Sequence, residues 1–554
     1  MVYIKLNRTT LFLIGIVYMQ LLAFLYFYLN FIELSESLNP KRQKFFGKSS
    51  EQVQIRQNIT ENCSGCLPVS NTKLKRAPPI FQGPTNDRQR AIVKAFQHAW
   101  SGYKKYAWGH DELRPVSQRF DDPFELGLTI VDSLDTAIIM GLETETREGL
   151  EWIRNSLNVS PSRSVNLFET TIRVLGGLLS GFHLTGEDIL LKKATKLGDN
   201  LLKAFEKSKS PIPKSDVNLQ TGDAFSPNRD FSSLAEVTTL QLEFRDLSDL
   251  TGDKKYEEVT FNASKHIHKA KCLEYDGLCP YHIDSKGEFR KTCEFSKKIL
   301  LNFKHYISAI TLGARADSYY EYLIKQWLQT KKSIDWLRDD FIQSMKAVKK
   351  HLYRQSQPNG LWFIGEITDY KDFYPKMDHL VCFLSGSLVL SHLNSLDENN
   401  EHLEMAKQIG DICHKMYDNP TGLGPEIMHF NMENSSDISK EDTYVKSLDA
   451  HSLLRPEAIE AWFYLYRATK DKKYQEWGWS AFEAIEKYAK VETGGYSSID
   501  NVLRKKIRRR DKMESFFPAE TLKYLYLLLS DDQEVLPLDR WVFNTEAHPL
   551  PIYN

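Results

Sequence analysis

From residue 87 onward, the apolar residues of this 554-residue chain recur at helical spacing with few breaks. That periodicity leaves few folds open. Segments such as AIVKAFQHAWSGYKKYAW, ILLKKATKLGDNLLKAF, CFLSGSLVLSHL and AIEAWFYLYRAT set apolar side chains three and four positions apart, which builds one buried face per helix. Strand-like alternation is scarce. Residues 273–289, with Gly277 and a Ser-Lys-Gly turn, are the one stretch expected to form a β-hairpin. A weak repeat runs through the helices: one ends, a polar turn containing Asp follows, and a second begins. The turn Asp residues are Asp188, Asp253, Asp397 and Asp471, which suits a unit of roughly 65–75 residues with one turn missed. A unit of that length is one helical hairpin plus a long connection, and the chain after residue 85 holds about six or seven of them. Stacked hairpins make an open solenoid or a closed toroid. The long Gly- and Pro-containing connections favour an all-α toroid carrying a site on one face.

The N-terminal part follows other rules. Residues 11–32 carry no charge and read LFLIGIVYMQLLAFLYFYLNFI; about 20 such residues span a bilayer core. Large apolar side chains continue to the end of the run without a small-residue cleavage site, so an uncleaved membrane anchor is expected. The flanking charges, with Lys5 and Arg8 before the run and Glu33, Glu36, Lys41, Arg42 and Lys44 after it, do not fix the orientation. Asn58, Asn62, Asn158, Asn262 and Asn434 head N-x-S/T triplets, all beyond the apolar run, which favours a lumenal C-terminal side. Residues 1–10 are then a cytosolic tail, 11–32 the anchor, 33–84 a polar stem with Pro-Pro and Gly-Pro breaks, and 85–554 the helical domain. Net charge is −1, so no overall basic field points to nucleic acid. Seven cysteines are present: 63, 66, 272, 279, 293, 382 and 413. A lumenal setting permits disulfides, and the CSGC run at 63–66 reads more simply as a stem bridge or free thiols than as a redox pair or half a zinc site.

Carboxylates embedded in apolar helical segments are the informative residues, because a charge is rarely buried unless it is paired or used. Asp132 and Asp135 share a helix face in LGLTIVDSLDTAIIMGL, or cap a helix. Glu169 and Arg173, four apart in NLFETTIRVLGG, let the guanidinium orient the acid, or form an ordinary helix ion pair. Asp317 sits among tyrosines in GARADSYYEYL, where it could equally cap a helix. Glu457 and Glu460 follow Pro456 in the first turn of a helix. Glu514 and Glu520 flank SFFPA, and Thr545 and Glu546 lie in an oxygen-rich tail segment, VFNTEAHPLP, with no EF-hand spacing. Several acids at helix ends that converge on one face of a toroid suit glycosidic hydrolysis, with one carboxylic acid protonating the leaving oxygen and one carboxylate activating water. Signatures of serine hydrolases, zinc peptidases and P-loop enzymes are absent from the sequence.

Taken together, AWSGYKKYAWGHDELRP, IVDSLDTAIIMGL, NLFETTIRVLGGLLS, SLAEVTTLQLEFRDLS, GARADSYYEYLIKQW, KMDHLVCFLSG, LLRPEAIEAWFYLYRAT, DKMESFFPAETLKYLYLL and FNTEAHPLP resemble the class I α-1,2-mannosidases, glycoside hydrolase family 47, and within them the endoplasmic-reticulum members. The resemblance implies an (α/α)7 barrel, a bound Ca²⁺ and hydrolysis with inversion. It puts the general acid on Glu169, a catalytic Asp of less settled role on Asp317, and the base on Glu457. It implies sugar contacts for Arg173, Arg315, Asp378, His379, Glu426, Arg455 and Phe516. Direct calcium binding falls on the hydroxyl and carbonyl oxygens of Thr545, with Glu457, Glu460, Glu520 and Glu546 holding coordinated waters. Cys382 and Cys413 match the family disulfide, while the pairing of the other cysteines stays open. Ser385 departs from the Pro frequent at that position, with a small effect expected on loop stiffness.

Arg315 stands where Golgi members usually carry Leu, and a guanidinium can select one oligosaccharide branch by binding several hydroxyls. The substrate implied is therefore Man9GlcNAc2 on lumenal glycoproteins, trimmed by one mannose to a Man8 isomer during maturation and quality control. The setting is a type II endoplasmic-reticulum membrane protein without a KDEL-type signal. The alternatives are a Golgi-type enzyme trimming to Man5, a mannose-binding factor in glycoprotein degradation, and a helical scaffold that needs no calcium. Protein partners are not legible.

Overall fold

Every residue of the helix Leu128–Ile139 is buried, including Asp132 and Asp135. A helix buried on all sides must be surrounded by protein. By contrast, Glu143–Asn155, which follows it, buries only Gly149 and Ile153. This alternation of an enclosed helix and an amphipathic one runs through the computed structural model, which describes residues 77–227, 231–289, 309–369, 371–433 and 441–553. The expected anchor at 11–32, most of the stem, Cys63, Cys66 and Cys293, and the triplets at Asn58, Asn62 and Asn434 lie outside the described residues. Among the described residues, no helix is long and apolar enough to cross a membrane.

The enclosed helices are Leu128–Ile139, Gly176–Thr185, Gln241–Thr251, Asp317–Gln329, Phe383–Leu393, Glu457–Thr469 and Leu522–Leu528. Each touches the next, and the short helical turn Phe517–Thr521 leading into the last packs against the first, so the contacts close a ring. Outer helices cover it, one in each connection; Lys473–Tyr488, for example, buries Tyr474, Gly478, Ala481, Phe482, Ala484 and Ile485 along one stripe. Close approach within the ring has a local cause: a Cβ on Gly177 would stand 2.6 Å from the carbonyl of Val131, so only glycine lets these two helices meet there.

The repeated Asp residues mark the entries to outer helices. Asp253 and Asp471 accept hydrogen bonds from the backbone N–H of Lys255 (3.1 Å) and Lys473 (3.0 Å), the first residues of Lys255–Ala270 and Lys473–Tyr488. Asp188 itself begins Asp188–Leu201, and Asp397 accepts from the N–H of His402 near the start of Glu401–Lys415.

The expectation of a single hairpin understated the β structure. The described residues contain seven small sheets, built from strands as short as two residues and no longer than the four of Ile427–Phe430. Strands this short cannot display a period of two, which is why the sequence pattern missed them. Within 273–289, Leu273–Tyr275 is a helical turn, His282–Asp284 pairs with Phe231–Ser233, and only the Ile283–Phe289 bridge around Gly287 is hairpin-like. Two disulfides stand among the described residues. Cys382–Cys413 ties the start of an inner helix to its outer partner, and Cys272–Cys279 joins two cysteines whose pairing the sequence left open.

Candidate active site

The N-terminal ends of the inner helices gather around a cavity of about 510 Å³. Glu169 closes the turn Leu167–Glu169, Asp317 and Glu457 are the first residues of their helices, and Phe516 directly precedes Phe517–Thr521. The free backbone N–H groups of helix N-termini favour negative charge, so the fold itself concentrates acids here. Two of the helices begin with π-helical turns, Thr170–Leu175 and Phe517–Thr521, which carry Arg173 and Glu520. Such turns widen a helix locally and re-aim its side chains, and they are frequent at functional sites.

Two arginines and one ring shape one wall. Arg173 donates from Nε to Glu169 (2.8 Å), pairs through Nη1 with Glu546, and lies 3.8 Å from Asp132. Arg455 donates from Nε to Glu426 (2.6 Å). Both guanidiniums stand over Phe516, at 5.7 and 5.6 Å from its centroid. Arg315, across the cavity, bonds His282 at 3.1 Å and lies 6.0 Å from the ring of Tyr281. It is held at φ 81°, a conformation a non-glycine residue rarely takes.

The acids differ in electrostatics. Burial lifts the carboxyl of Asp317 to about 8, with the negative charges of Glu321, Glu457 and Asp378 adding to the effect; only its bond from the Ser318 N–H opposes this. Burial works against the charge of Glu457 too, but the His379 hydrogen bond (3.1 Å) and the Arg455 guanidinium outweigh it and hold this carboxyl below its ordinary value. His379 is 2% exposed, and its other nitrogen is bonded to the Tyr417 hydroxyl at 3.1 Å.

A second group of acids lies deeper. Glu546 and Glu460 are each pushed up to about 8 by burial, against the opposing pull of Arg173 and Lys325 respectively. Burial raises Glu520 as well, and the charges of Glu546 and Glu457 raise it further. Among the described residues, Glu520 has no ion pair. The tail segment carrying Thr545 and Glu546 is clamped from below: His548 bonds Asp135 (2.8 Å) and Asp132 (3.2 Å), and Lys523 ion-pairs with Asp135 (2.8 Å). Burial alone would discharge the imidazole, but the two aspartates lift it to about 9. Asp132 and Asp135 are therefore supports inside a helix, not caps. Asn544, in the same segment, bonds Glu243, which also accepts from the Tyr322 hydroxyl.

Of the residues expected at the site, Glu169, Arg173, Arg315, Asp317, Arg455, Glu457, Phe516, Glu520, Thr545 and Glu546 line the cavity. Asp378, His379, Glu426 and Glu460 stand behind that lining, each bonded to other side chains, and Glu514 pairs with Lys512 away from it. Sequence reasoning passed over Asn166, Ser233, Glu236 and His282, which also line it. The Ser233–Glu236 capping box, with Glu236 accepting from Asn166 as well, was readable as S-x-x-E before an apolar run.

A carboxyl raised by burial and a carboxylate lowered by its partners, on one cavity flanked by guanidiniums and an aromatic ring, fit a helical glycoside hydrolase. The chain belongs to glycosyl hydrolase family 47, whose sequence profile matches residues 95–552. It is 50% identical over 532 residues to an endoplasmic reticulum mannosyl-oligosaccharide 1,2-alpha-mannosidase of Rattus norvegicus, covering 93% of this chain and 78% of the relative. The Homo sapiens protein of the same description is 46% identical over 497 residues, covering 88% and 68%. In structure the chain is similar to an alpha-1,2-mannosidase from Trichoderma reesei, with a TM-score of 0.75 at 28% identity, covering 85% of this chain and all of that one.

Proposed function

We propose that this protein hydrolyses terminal α-1,2-linked mannose from high-mannose N-glycans, with inversion, and takes Man9GlcNAc2 to a single Man8 isomer. The opposed electrostatics of Asp317 and Glu457 carry the proposal. Asp317, lifted to about 8, keeps a proton at neutral pH and can give it to the leaving oxygen. Glu457, held ionised by His379 and Arg455, takes a proton from the attacking water. Glu169, which the family resemblance casts as the acid, is ion-paired to Arg173; in our reading it orients the path along which the proton travels. His379 positions Glu457, since both its nitrogens are already bonded. Arg173, Arg455 and Phe516 grip the terminal sugar, and Arg315 selects the branch.

The donor set fits a hard cation. Buried acids around Glu520 exceed their cationic partners, and the Thr545 hydroxyl and carbonyl supply hard oxygens beside them. Among the described residues, no group of three or more His, Cys, Asp or Glu stands ready to hold a metal directly. The site we propose is therefore one in which Thr545 would bind directly and Glu457, Glu460, Glu520 and Glu546 would hold waters. Bound Ca²⁺ supplies a fixed positive charge that orients sugar hydroxyls and water. The closed ring is read as the (α/α)7 barrel, entered from a stem at 33–84 and a type II anchor at 11–32 in the endoplasmic-reticulum membrane. Incubation of the full chain with Man9GlcNAc2, with the anomer of the first released mannose read by NMR, tests the reading. β-Mannose and one Man8 product are expected; α-mannose, or no release, overturns it.

A further inference from the structure

The family reaction leaves one strongly charged feature without a use. Residues 504–510 read RKKIRRR, and Arg504, Lys505, Lys506, Arg508, Arg509 and Arg510 are all exposed. They sit on a built hairpin. Ser498 N–H donates to the Lys512 carbonyl (2.9 Å), Arg510 N–H to Ser498 (2.8 Å) and Asp500 N–H to Arg508 (2.9 Å). The hairpin is fastened to the barrel: Ile499 and Ser452 exchange two backbone bonds at 3.0 Å, and Val502 N–H donates to Ala450 at 2.7 Å.

That attachment places it on the rim of the cavity. The segment holding it at Ala450 and Ser452 continues into Leu453, whose N–H reaches Glu426, and into Arg455. Its returning arm leads through Met513, paired with Leu113, to Phe516. Few of the charges are neutralised. Arg508 pairs with Asp500, and Arg509 donates to the Lys490 carbonyl (2.6 Å). Among the described residues, Arg504, Lys505, Lys506 and Arg510 have no ion pair. Asp511, at the base, is occupied by Arg114 and by the N–H groups of Val116 and Ser117. Long side chains of one sign crowded together repel each other, and an anionic partner relieves that cost.

The position favours one kind of partner. Residues 83–86 join the ring at the C-terminal ends of the inner helices, where Asn86 bonds the Leu529 carbonyl and Gly83 packs on Gly141. The cationic hairpin stands at the N-terminal ends, beside the cavity mouth. A glycan inserted in the cavity brings the polypeptide that bears it to this rim. We infer that the hairpin at 498–512 is a docking surface for acidic polypeptide segments of the glycoprotein substrate, so that glycans flanked by Asp and Glu are trimmed faster than the same glycans elsewhere. The inference rests on the proposed mannosidase reading.

The test uses the full chain and three substrates: free Man9GlcNAc2, the glycan on a peptide rich in Asp and Glu, and the glycan on a neutral peptide. At low salt, kcat/KM on the acidic glycopeptide is expected to exceed that on the neutral one by about tenfold, the lower end of electrostatic steering, and the advantage is expected to vanish at high ionic strength. Replacing Arg504, Lys505 and Lys506 together by Ser should abolish the advantage while leaving turnover of free glycan within about twofold, and replacement by Glu should reverse the preference. Fluorescence-anisotropy binding of the same acidic peptide without glycan reads the hairpin independently of catalysis, and should weaken about tenfold in the Ser variant. An acidic-peptide preference that survives the Glu variant, or its absence from the wild type, overturns the inference. So does binding by the hairpin to anionic lipid vesicles with none to the peptide. Inert free glycan with intact peptide binding instead overturns the mannosidase reading and leaves the docking surface standing.

Discussion

Asp317 and Glu457 each open a helix, and burial acts on both, yet their charge states are set in opposite directions. Asp317 has one backbone N–H for support and three acids for neighbours; Glu457 has His379 and Arg455. The sign of the pH dependence follows. A donor must keep its proton, so kcat/KM on Man9GlcNAc2 should hold at neutral pH and fall as pH rises through about 8, the value burial gives Asp317. On the acid side, activity should persist below the usual glutamate range, because Glu457 stays ionised there. Asp317→Asn should remove the alkaline limb along with about 10²–10⁴-fold of kcat. α-Mannosyl fluoride needs no proton on its leaving group, so that substrate should lose far less, a difference read by parallel steady-state assays. Asp317 could be picked out in the sequence as an acid entering an apolar run, but its raised pKa could not, because the burial responsible arises only when distant helices close over it.

At the level of elements, the clamp on the tail segment decides where Thr545 and Glu546 sit. His548 reaches Asp135 across 413 positions of sequence, and Lys523 reaches the same carboxylate from another helix. No local pattern could reveal that connection, which is why Asp132 and Asp135 read equally as caps or as chemistry from sequence alone. Glu169 with Arg173, an i,i+4 pair, was legible for the opposite reason. Asp135→Asn leaves Lys523 without its carboxylate partner and His548 with Asp132 alone in a buried site, and should cost about 3–5 kcal/mol in urea unfolding. The Cys382–Cys413 bridge closes a separation of 31 residues between an inner helix and its outer partner. Cys382→Ser should lower stability by about 2–4 kcal/mol in the same assay.

Across the whole molecule, the helical hairpins were readable because each amphipathic outer helix and each Asp-bearing turn announces itself locally. The small sheets were not, since strands of two to four residues leave no period to detect. What unites the ring is the site at one end of it, where helix N-termini meet and acids outnumber their partners. A cation binding there should stabilise the folded chain by mass action. Chelation should therefore lower Tm by several degrees, and Ca²⁺ should restore it, as followed by thermal unfolding of the full chain.

Timed product analysis on Man9GlcNAc2, with and without Ca²⁺, is the decisive measurement for a calcium-dependent, branch-selective site. Loss of one mannose to a single Man8 isomer is expected, with slow trimming beyond it and no reaction in chelator until Ca²⁺ is returned. Rapid conversion to Man5 would contradict the specificity assigned to Arg315, and undiminished hydrolysis in chelator would contradict the calcium-dependent site.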